Sequence, residues 1–117
     1  MILFVYGTLK RGHSAAHEMK DATFLGEATT EPKYRLLVCQ QGAYPGLVEA
    51  EQGGKAIAGE LYQVSHHLLQ HLDRYEGLPE GYYRRGQIAL RPPAPPGVEG
   101  YLYLRDDGTL PEAGLCW

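Results

Sequence analysis

Glu76 is the residue of this sequence best placed for acid–base chemistry, because it ends a predicted helix on the apolar side. At 100° per residue, that side of the helix also carries Leu68, Leu69, Leu72 and Tyr75. A carboxylate directed into apolar surroundings is costly to desolvate, and its pKa should therefore be raised. Such carboxylates are either paired with a cation or used as an acid or base. We predict that Glu76 is a general acid or base.

Two other interpretations of the carboxylates stay open at this stage. An ion pair between Glu76 and Arg84, on the basic and aromatic strand that follows, would give Glu76 a purely structural role. Glu60 is a rival carboxylate, but it lies in the middle of a predicted strand and could point outward without consequence.

A glycine-containing turn follows the first predicted strand. Residues Gly7 to Gly12, with His13 and Ser14 after them, nearly match the phosphate-binding pattern G-x-x-x-x-G-K-[ST]. His13 stands where that pattern requires lysine, and the chain lacks the alternating strands and helices of such a fold. A nucleotide site is therefore not favoured. The turn still presents several backbone N–H groups together, and these can hold a carboxylate or an oxyanion.

Metal binding and nucleophilic catalysis have weaker support. His67 and His71 lie one helical turn apart, but on the polar face and without a third ligand at a recognisable spacing. Cys39 lies within an apolar predicted strand, where a thiol is usually unreactive. We therefore predict solvated surface histidines, no metal site and no cysteine nucleophile.

The helix that positions Glu76 has clear boundaries in the sequence. Ser65 can cap its first turn, Gly77 suits the left-handed position beyond its end, and Pro79 prevents it from continuing. Its polar side, which we expect to point away from the core, carries His66, Gln70, Asp73 and Arg74.

The rest of the chain is rich in predicted strands. These cover Ile2–Tyr6, Leu25–Thr30, Tyr34–Gln40, Leu47–Ala50, Ala56–Val64, Tyr83–Leu90 and Val98–Leu104. A second short helix is predicted over Ser14–Lys20, and a hairpin turn at Gly53-Gly54. The fifth strand carries apolar residues on both faces, as in a small barrel. The pattern predicts an α+β fold built on a compact sheet or barrel.

Length and composition favour a single domain over residues 1–117. Residues Arg91–Gly97 hold four prolines and should form an exposed loop. Residues Arg105–Trp117 carry little structural signal, and the sequence leaves open whether they form a loose tail or are pinned by Trp117.

The charge and the cysteine content indicate which partners and which cellular compartment to expect. The net charge is −3 with scattered basic residues, which does not favour nucleic acid or an anionic membrane as partner. Only two cysteines occur, and the apolar start at Met1–Tyr6 is too short for a signal peptide. We therefore expect a reduced, cytoplasmic protein.

Three motifs together resemble the gamma-glutamylcyclotransferase-like superfamily. They are Tyr6-Gly7-Thr8-Leu9-Lys10 after the first strand, Gly59-Glu60-Leu61-Tyr62 before the helix, and Leu72-Asp73-x-x-Glu76 with Pro79, Tyr82 and Arg84. The resemblance spans Ile2 to about Leu104 and is closest to the branch containing gamma-glutamylamine cyclotransferase.

This resemblance implies a small mixed β-barrel flanked by short helices, in agreement with the predicted strands. It assigns the catalytic glutamate to Glu76, and it assigns a substrate-cradling loop to Tyr6, Gly7, Thr8 and Leu9. We expect further substrate-binding residues at Tyr82, Arg84 and Tyr103. Superfamily members that act on glutathione carry Tyr-Gly-Ser-Asn in this loop, where the present chain has Tyr-Gly-Thr-Leu. The group on the amide nitrogen of the substrate therefore stays open.

The implied reaction is the cyclisation of a small gamma-glutamyl amide or amine, which releases 5-oxoproline and a free amine. Glu76 would act as general acid and base, and no cofactor is expected. Two alternatives remain: a small-molecule binding module without turnover, and an amide hydrolase or acyltransferase that uses the same pocket. The sequence gives no indication of the oligomeric state.

Overall fold

Seven β-strands and one α-helix form the framework of the computed structural model, which describes all 117 residues. The strands are β1 (Ile2–Val5), β2 (Thr23–Thr29), β3 (Tyr34–Cys39), β4 (Tyr44–Glu49), β5 (Ala58–Gln63), β6 (Tyr83–Gln87) and β7 (Glu99–Tyr103). Helix α1 covers His66–Tyr75, and short 3-10 helices cover Ala16–Met19 and Gln40–Gly42. The predicted second helix is thus a short 3-10 helix.

The strands form one mixed sheet in the order β2-β5-β1-β7-β4-β3, with β6 paired to β7 outside this path. β1 and β4 run parallel to β7, whereas the other pairs are antiparallel. Backbone hydrogen bonds between Tyr34 and Lys55 tie the start of β3 to the segment before β5. The sheet curls into a half-barrel, which confirms the predicted α+β barrel architecture.

Strands β1 and β4 both pair with the same edge of β7, one along its first part and the other further along. β1 pairs with the first half of β7, and β4 pairs with Leu102. At the junction, the Tyr6 hydroxyl donates to the Tyr101 carbonyl at 2.7 Å and accepts from the Leu47 N–H at 3.1 Å. β1 and β4 therefore separate at Tyr6, where the chain leaves the sheet.

The first strand is buried on both faces, as the sequence predicts. Leu3 and Val5 pack in a cluster that also contains the leucines of α1, whereas Phe4 and Tyr6 pack in a second cluster, together with Leu47. Tyr75, predicted on the apolar side of α1, is instead 47% exposed, because the last turn of the helix borders a surface cleft.

Two connections settle points that the sequence predicted wrongly or left open. The predicted hairpin at Gly53-Gly54 is wrong, because β4 pairs with β3 and β7 while β5 pairs with β1 and β2. A glycine pair marks a chain reversal but does not specify which strands pair. The last residues do not form a loose tail: Glu112 bridges to Leu37, and Trp117 packs against the cluster that contains Phe4 and Tyr6.

None of the helices has the length and apolar character that a membrane crossing requires.

Candidate active site

The end of helix α1 fixes the position of Glu76. The Ser65 hydroxyl caps the first turn by accepting from the Leu68 N–H at 3.0 Å. At the other end, the Glu76 N–H donates to the Leu72 carbonyl at 2.8 Å. Gly77 then takes a φ of +76°, a conformation that glycine adopts without the steric cost of a side chain. Glu76 is therefore held by the helix, while the chain turns away directly after it.

The carboxylate of Glu76 has no cation or hydrogen-bond donor beside it. Burial alone raises its pKa from the usual 4.5 to about 7. Arg84 pairs instead with Glu49 at 3.1 Å, on the exposed side of the sheet. The structural ion pair between Glu76 and Arg84 is therefore not formed.

The turn after β1 brings three backbone donors together. The N–H groups of Gly7, Thr8 and Leu9 have no acceptor within the protein. Their carbonyl groups stabilise the turn, since Gly7 accepts from the Lys10 N–H at 3.0 Å and Thr8 accepts from the Ala15 N–H at 2.9 Å. The three donors are thus free to bind an anionic group.

A pocket, here called the inner pocket, lies between this turn and the end of α1. The predicted site residues that line it are Tyr6, Gly7, Thr8, Leu9 and Glu76. The structure therefore brings the turn and the carboxylate to one cavity. A Cβ atom on Gly7 would meet the Pro45 ring at 2.6 Å, so the glycine permits close packing of the turn against β4.

A wider depression, here called the outer cleft, adjoins the inner pocket. It is lined by residues that include Gln40, Arg74, Gly77, Glu80 and Tyr82. The inner pocket and the outer cleft share Thr8, Tyr44, Glu76 and Tyr83. Glu76 therefore lies where the enclosed cavity opens to the surface.

Tyrosine side chains that the sequence analysis did not single out form much of the inner pocket. Tyr83 donates to the Pro45 carbonyl at 2.6 Å, and Tyr101 donates to the Asp73 carboxylate at 2.8 Å. Burial raises the pKa of Tyr83 and of Tyr101 well above the usual value. Because these two hydroxyls donate to the protein, the donors of the inner pocket that remain available to a ligand include the three backbone N–H groups.

Asp73 anchors the helix end, contrary to the expectation that it points away. Its carboxylate accepts from Tyr101 and from Arg85, which also donates to Glu99 at 2.8 Å. The network joins α1 to β6 and β7 three residues before Glu76. The helical pattern could not predict it, because β6 and β7 cover a helix face that looks polar in the sequence.

The remaining predicted substrate-binding residues separate into two groups. Tyr82 lines the outer cleft and is 41% exposed, with the Arg105 guanidinium 4.5 Å from its ring centre. Arg84 and Tyr103 line neither the inner pocket nor the outer cleft. Arg84 points to the exposed side toward Glu49, and Tyr103 packs edge-on behind Tyr83 with ring centres 5.3 Å apart. Both residues therefore lie outside the two cavities, and a contact of either one with the substrate stays a prediction.

Glu60 is buried and paired rather than directed outward. Its carboxylate accepts from the backbone N–H and the Nε of Arg11 and from the Tyr62 hydroxyl, each at 3.0 Å. Burial is the largest single effect and raises its pKa, but these hydrogen bonds together outweigh burial and leave the pKa lowered. Glu60 is thus an ionised structural carboxylate, unlike Glu76.

The other chemistry-bearing residues lie apart from the cavity. His71 lies 2.7 Å from a carboxylate oxygen of Glu18 on the surface, and no group of three or more histidine, cysteine or acidic side chains is arranged to hold a metal ion. Cys39 is buried, and burial raises the pKa of its thiol.

The chain matches a family model described as gamma-glutamyl cyclotransferase, AIG2-like, over residues 3–115. Gamma-glutamylaminecyclotransferase from Homo sapiens is 32% identical over 119 residues, which cover 89% of this chain and 78% of that protein. Gamma-glutamylaminecyclotransferase A from Danio rerio is 34% identical over 94 residues, which cover 76% of this chain and 58% of that protein.

The fold agrees with this match. The crystal structure of an AIG2-like protein from Mus musculus superposes with a TM-score of 0.81 at 28% identity, covering 95% of this chain and 84% of that chain. The family model covers nearly the whole domain, including the turn after β1 and the end of α1. The chain therefore belongs to the gamma-glutamyl cyclotransferase, AIG2-like family of enzymes.

Proposed function

We propose that this enzyme cyclises a gamma-glutamyl amide, releasing 5-oxoproline and a free amine, with Glu76 as the group that moves the protons. The observation that supports this most directly is the state of Glu76: a carboxylate without a partner, facing a cavity, with its pKa raised to about 7. A carboxylate that only stabilised the fold would be paired, as Glu60 is.

The reaction removes two protons from the attacking nitrogen and returns one to the leaving nitrogen. The α-ammonium of the substrate loses a proton to the Glu76 carboxylate, and the free amine then attacks the γ-carbonyl carbon. A C–N bond forms in the five-membered ring, and the original amide C–N bond breaks as Glu76 returns the proton to the leaving nitrogen. The second proton of the attacking nitrogen passes to solvent, where the released amine takes it up. A pKa near 7 suits both steps, and such proton transfer contributes ~10²–10⁴ in rate.

The nucleophile and the carbonyl belong to the same molecule, so the main task of the pocket is to fold the substrate. The inner pocket is small and enclosed mainly by tyrosine rings and the turn after β1. A substrate held there with its amine close to the γ-carbonyl carbon reacts without the entropy cost of a bimolecular encounter.

The free N–H groups of Gly7, Thr8 and Leu9 supply the anion-binding site that this reaction requires. They would hold the α-carboxylate of the substrate or the oxyanion that develops on the γ-carbonyl oxygen. A donor directed at a developing oxyanion contributes ~10²–10³ in rate. Tyr6 would form the wall beside them.

The position of Glu76 between the two cavities supports a proposal for where each half of the substrate binds. The gamma-glutamyl group would occupy the inner pocket, and the amine to be released would lie in the outer cleft beside Tyr82. The outer cleft is open to solvent, so leaving amines of different size would be accepted.

A product screen tests the proposal. Purified enzyme is incubated with a panel of gamma-glutamyl amines and gamma-glutamyl peptides, and the products are identified by mass spectrometry. We expect 5-oxoproline and free amine in equal amounts. Release of glutamate with the amine would establish hydrolysis instead, and binding without any product would establish a binding module.

A further inference from the structure

Glu60 is the only charged side chain among the buried residues, and the proposed reaction does not use it. It lies in β5, and its side chain is 10% exposed. A desolvated carboxylate persists where hydrogen bonds and a cation compensate for the lost water. Here Arg11 supplies both, and the Tyr62 hydroxyl adds a third hydrogen bond.

The residue that Glu60 holds belongs to the turn that lines the inner pocket. Arg11 follows Leu9 by two residues, and its guanidinium also lies over the Phe24 ring, 3.7 Å from the ring centre. Glu60 binds both the main chain and the side chain of Arg11. The carboxylate therefore fixes the position of the backbone at the far end of the turn.

The near end of the turn is fixed independently. There the Tyr6 hydroxyl joins the chain to Tyr101 and Leu47. The turn is thus attached at both ends, and the donors of Gly7, Thr8 and Leu9 lie between the two attachments.

We propose that Glu60 is a positioning residue for the reaction, which holds the turn so that its backbone N–H groups stay directed at the inner pocket. This inference rests on the proposed function for its catalytic consequence. Backbone N–H groups without an acceptor are energetically costly, and a turn free to move would rotate them toward water or its own carbonyl groups. The ion pair with Arg11 opposes that rearrangement.

Two variants and one matched control test the proposal. Glu60→Gln places an amide N–H₂ group against the Nε of Arg11, so that two donors face each other. Arg11→Ala removes the guanidinium at a residue whose side chain is 56% exposed, and this variant should fold even if the first does not. Glu27→Gln is the control, because Glu27 lies 3.8 Å from the same guanidinium but is 81% exposed.

We expect kcat/KM for a gamma-glutamyl substrate to fall ~10–100-fold in Glu60→Gln and in Arg11→Ala, and to stay within about twofold in Glu27→Gln. When kcat/KM is measured as a function of pH, the apparent pKa of its rise from low pH should be the same in these variants as in the unaltered enzyme, because Glu76 is not altered. Equal losses in the double variant and in either single variant would show that the two residues act as a pair.

Amide hydrogen exchange provides a measurement that does not depend on activity. In Glu60→Gln, the amides of Lys10 and Ala15, which donate to the Gly7 and Thr8 carbonyls of the turn, should exchange at least tenfold faster than in the unaltered protein, while amides of β1 and β5 keep their rates. If the unaltered protein releases no 5-oxoproline, the proposed reaction fails, and the exchange rates still decide the role of Glu60. A lowered melting temperature with unchanged kcat/KM and unchanged exchange in the turn would overturn the inference.

Discussion

Thr8 and Glu76 line both the inner pocket and the outer cleft, although one follows the first strand and the other ends the α-helix. The relationship places a backbone donor and a carboxylate without a partner at the same opening. A ligand that extends from the enclosed cavity to the surface must therefore pass between them.

Replacing Glu76 by glutamine should abolish most turnover without preventing ligand binding. Glu76→Gln keeps the shape of the side chain but removes the base, and we expect kcat to fall by ~10² or more. The control is Glu51→Gln, an exposed carboxylate that lines neither the inner pocket nor the outer cleft. Turnover per folded molecule close to that of the unaltered enzyme would contradict the catalytic assignment.

The same variant should be more stable than the unaltered protein at pH 8. The folded-state pKa of Glu76 is raised above 4.5 to about 7, so the folded state binds more protons than the unfolded state in that interval. The contribution of Glu76 to stability therefore declines as pH rises from 4.5 to 7, by at most ~3 kcal/mol. Chemical denaturation should show Glu76→Gln more stable at pH 8 and equal at pH 4. A less stable variant at pH 8 would indicate a partner for the carboxylate.

The rate of the reaction should follow the ionisation of Glu76. We expect kcat/KM to rise with pH and to level off above an apparent pKa of about 7, because only the ionised carboxylate can accept the proton of the amine. The measurement is kcat/KM from pH 5 to pH 9, with fluorescence of Trp117 to show that the protein stays folded. An acid limb near pH 4.5 would mean that the reacting carboxylate is not buried.

Alanine at Gly7 should disturb the inner pocket directly. The added Cβ would lie 2.6 Å from the Pro45 ring, so the turn or β4 must move. We expect a loss of ~1–3 kcal/mol in the free energy of unfolding and at least a tenfold loss of kcat/KM. Gly12→Ala is the control in the same turn: its Cβ meets nothing within 4 Å, and its φ of +79° costs about 1 kcal/mol. Similar kinetics for the two variants would contradict the prediction.

Two neighbouring arginines of β6 should respond differently to the same change. Arg85→Gln breaks the network that anchors α1 through Asp73 and should cost ~1–3 kcal/mol of stability and some turnover. Arg84→Gln removes an ion pair in which Arg84 and Glu49 are 52% and 64% exposed, and should cost less than ~1 kcal/mol with no change in KM. A raised KM in Arg84→Gln would indicate that Arg84 contacts the substrate.

Local patterns in the sequence predicted the helix and its catalytic candidate. Ser65 and Gly77 act at fixed offsets from the helix ends, and the leucines of α1 repeat with the helical period, so a single segment contains the information. The sequence predicted the burial of β1 on both faces equally well, because the residues of this strand are apolar without interruption.

Features that depend on distant contacts could not be predicted in the same way. Asp73 looks polar and exposed on the helix, but strands that follow it later in the chain bring Arg85 and Tyr101 to its carboxylate. Glu60 in β5 and Arg11 in the turn after β1 form their pair over a separation of 49 residues, and no spacing in the sequence signals it. Strand alternation gives the side of the sheet on which Tyr103 lies, but not whether a neighbouring ring such as Tyr83 lies in front of it.

The position of β1 in the sheet has a consequence for the synthesis of the protein. β1 emerges first from the ribosome, yet its neighbours are β5 and β7, and β7 begins only at Glu99. Pairings between such distant segments form slowly, and an unpaired apolar strand edge attracts other chains. The nascent chain must therefore keep Leu3 and Phe4 without their partners in β7 until β7 has been synthesised. A chain interrupted before β7 would accordingly be a target for chaperones and proteases and not a partly active enzyme.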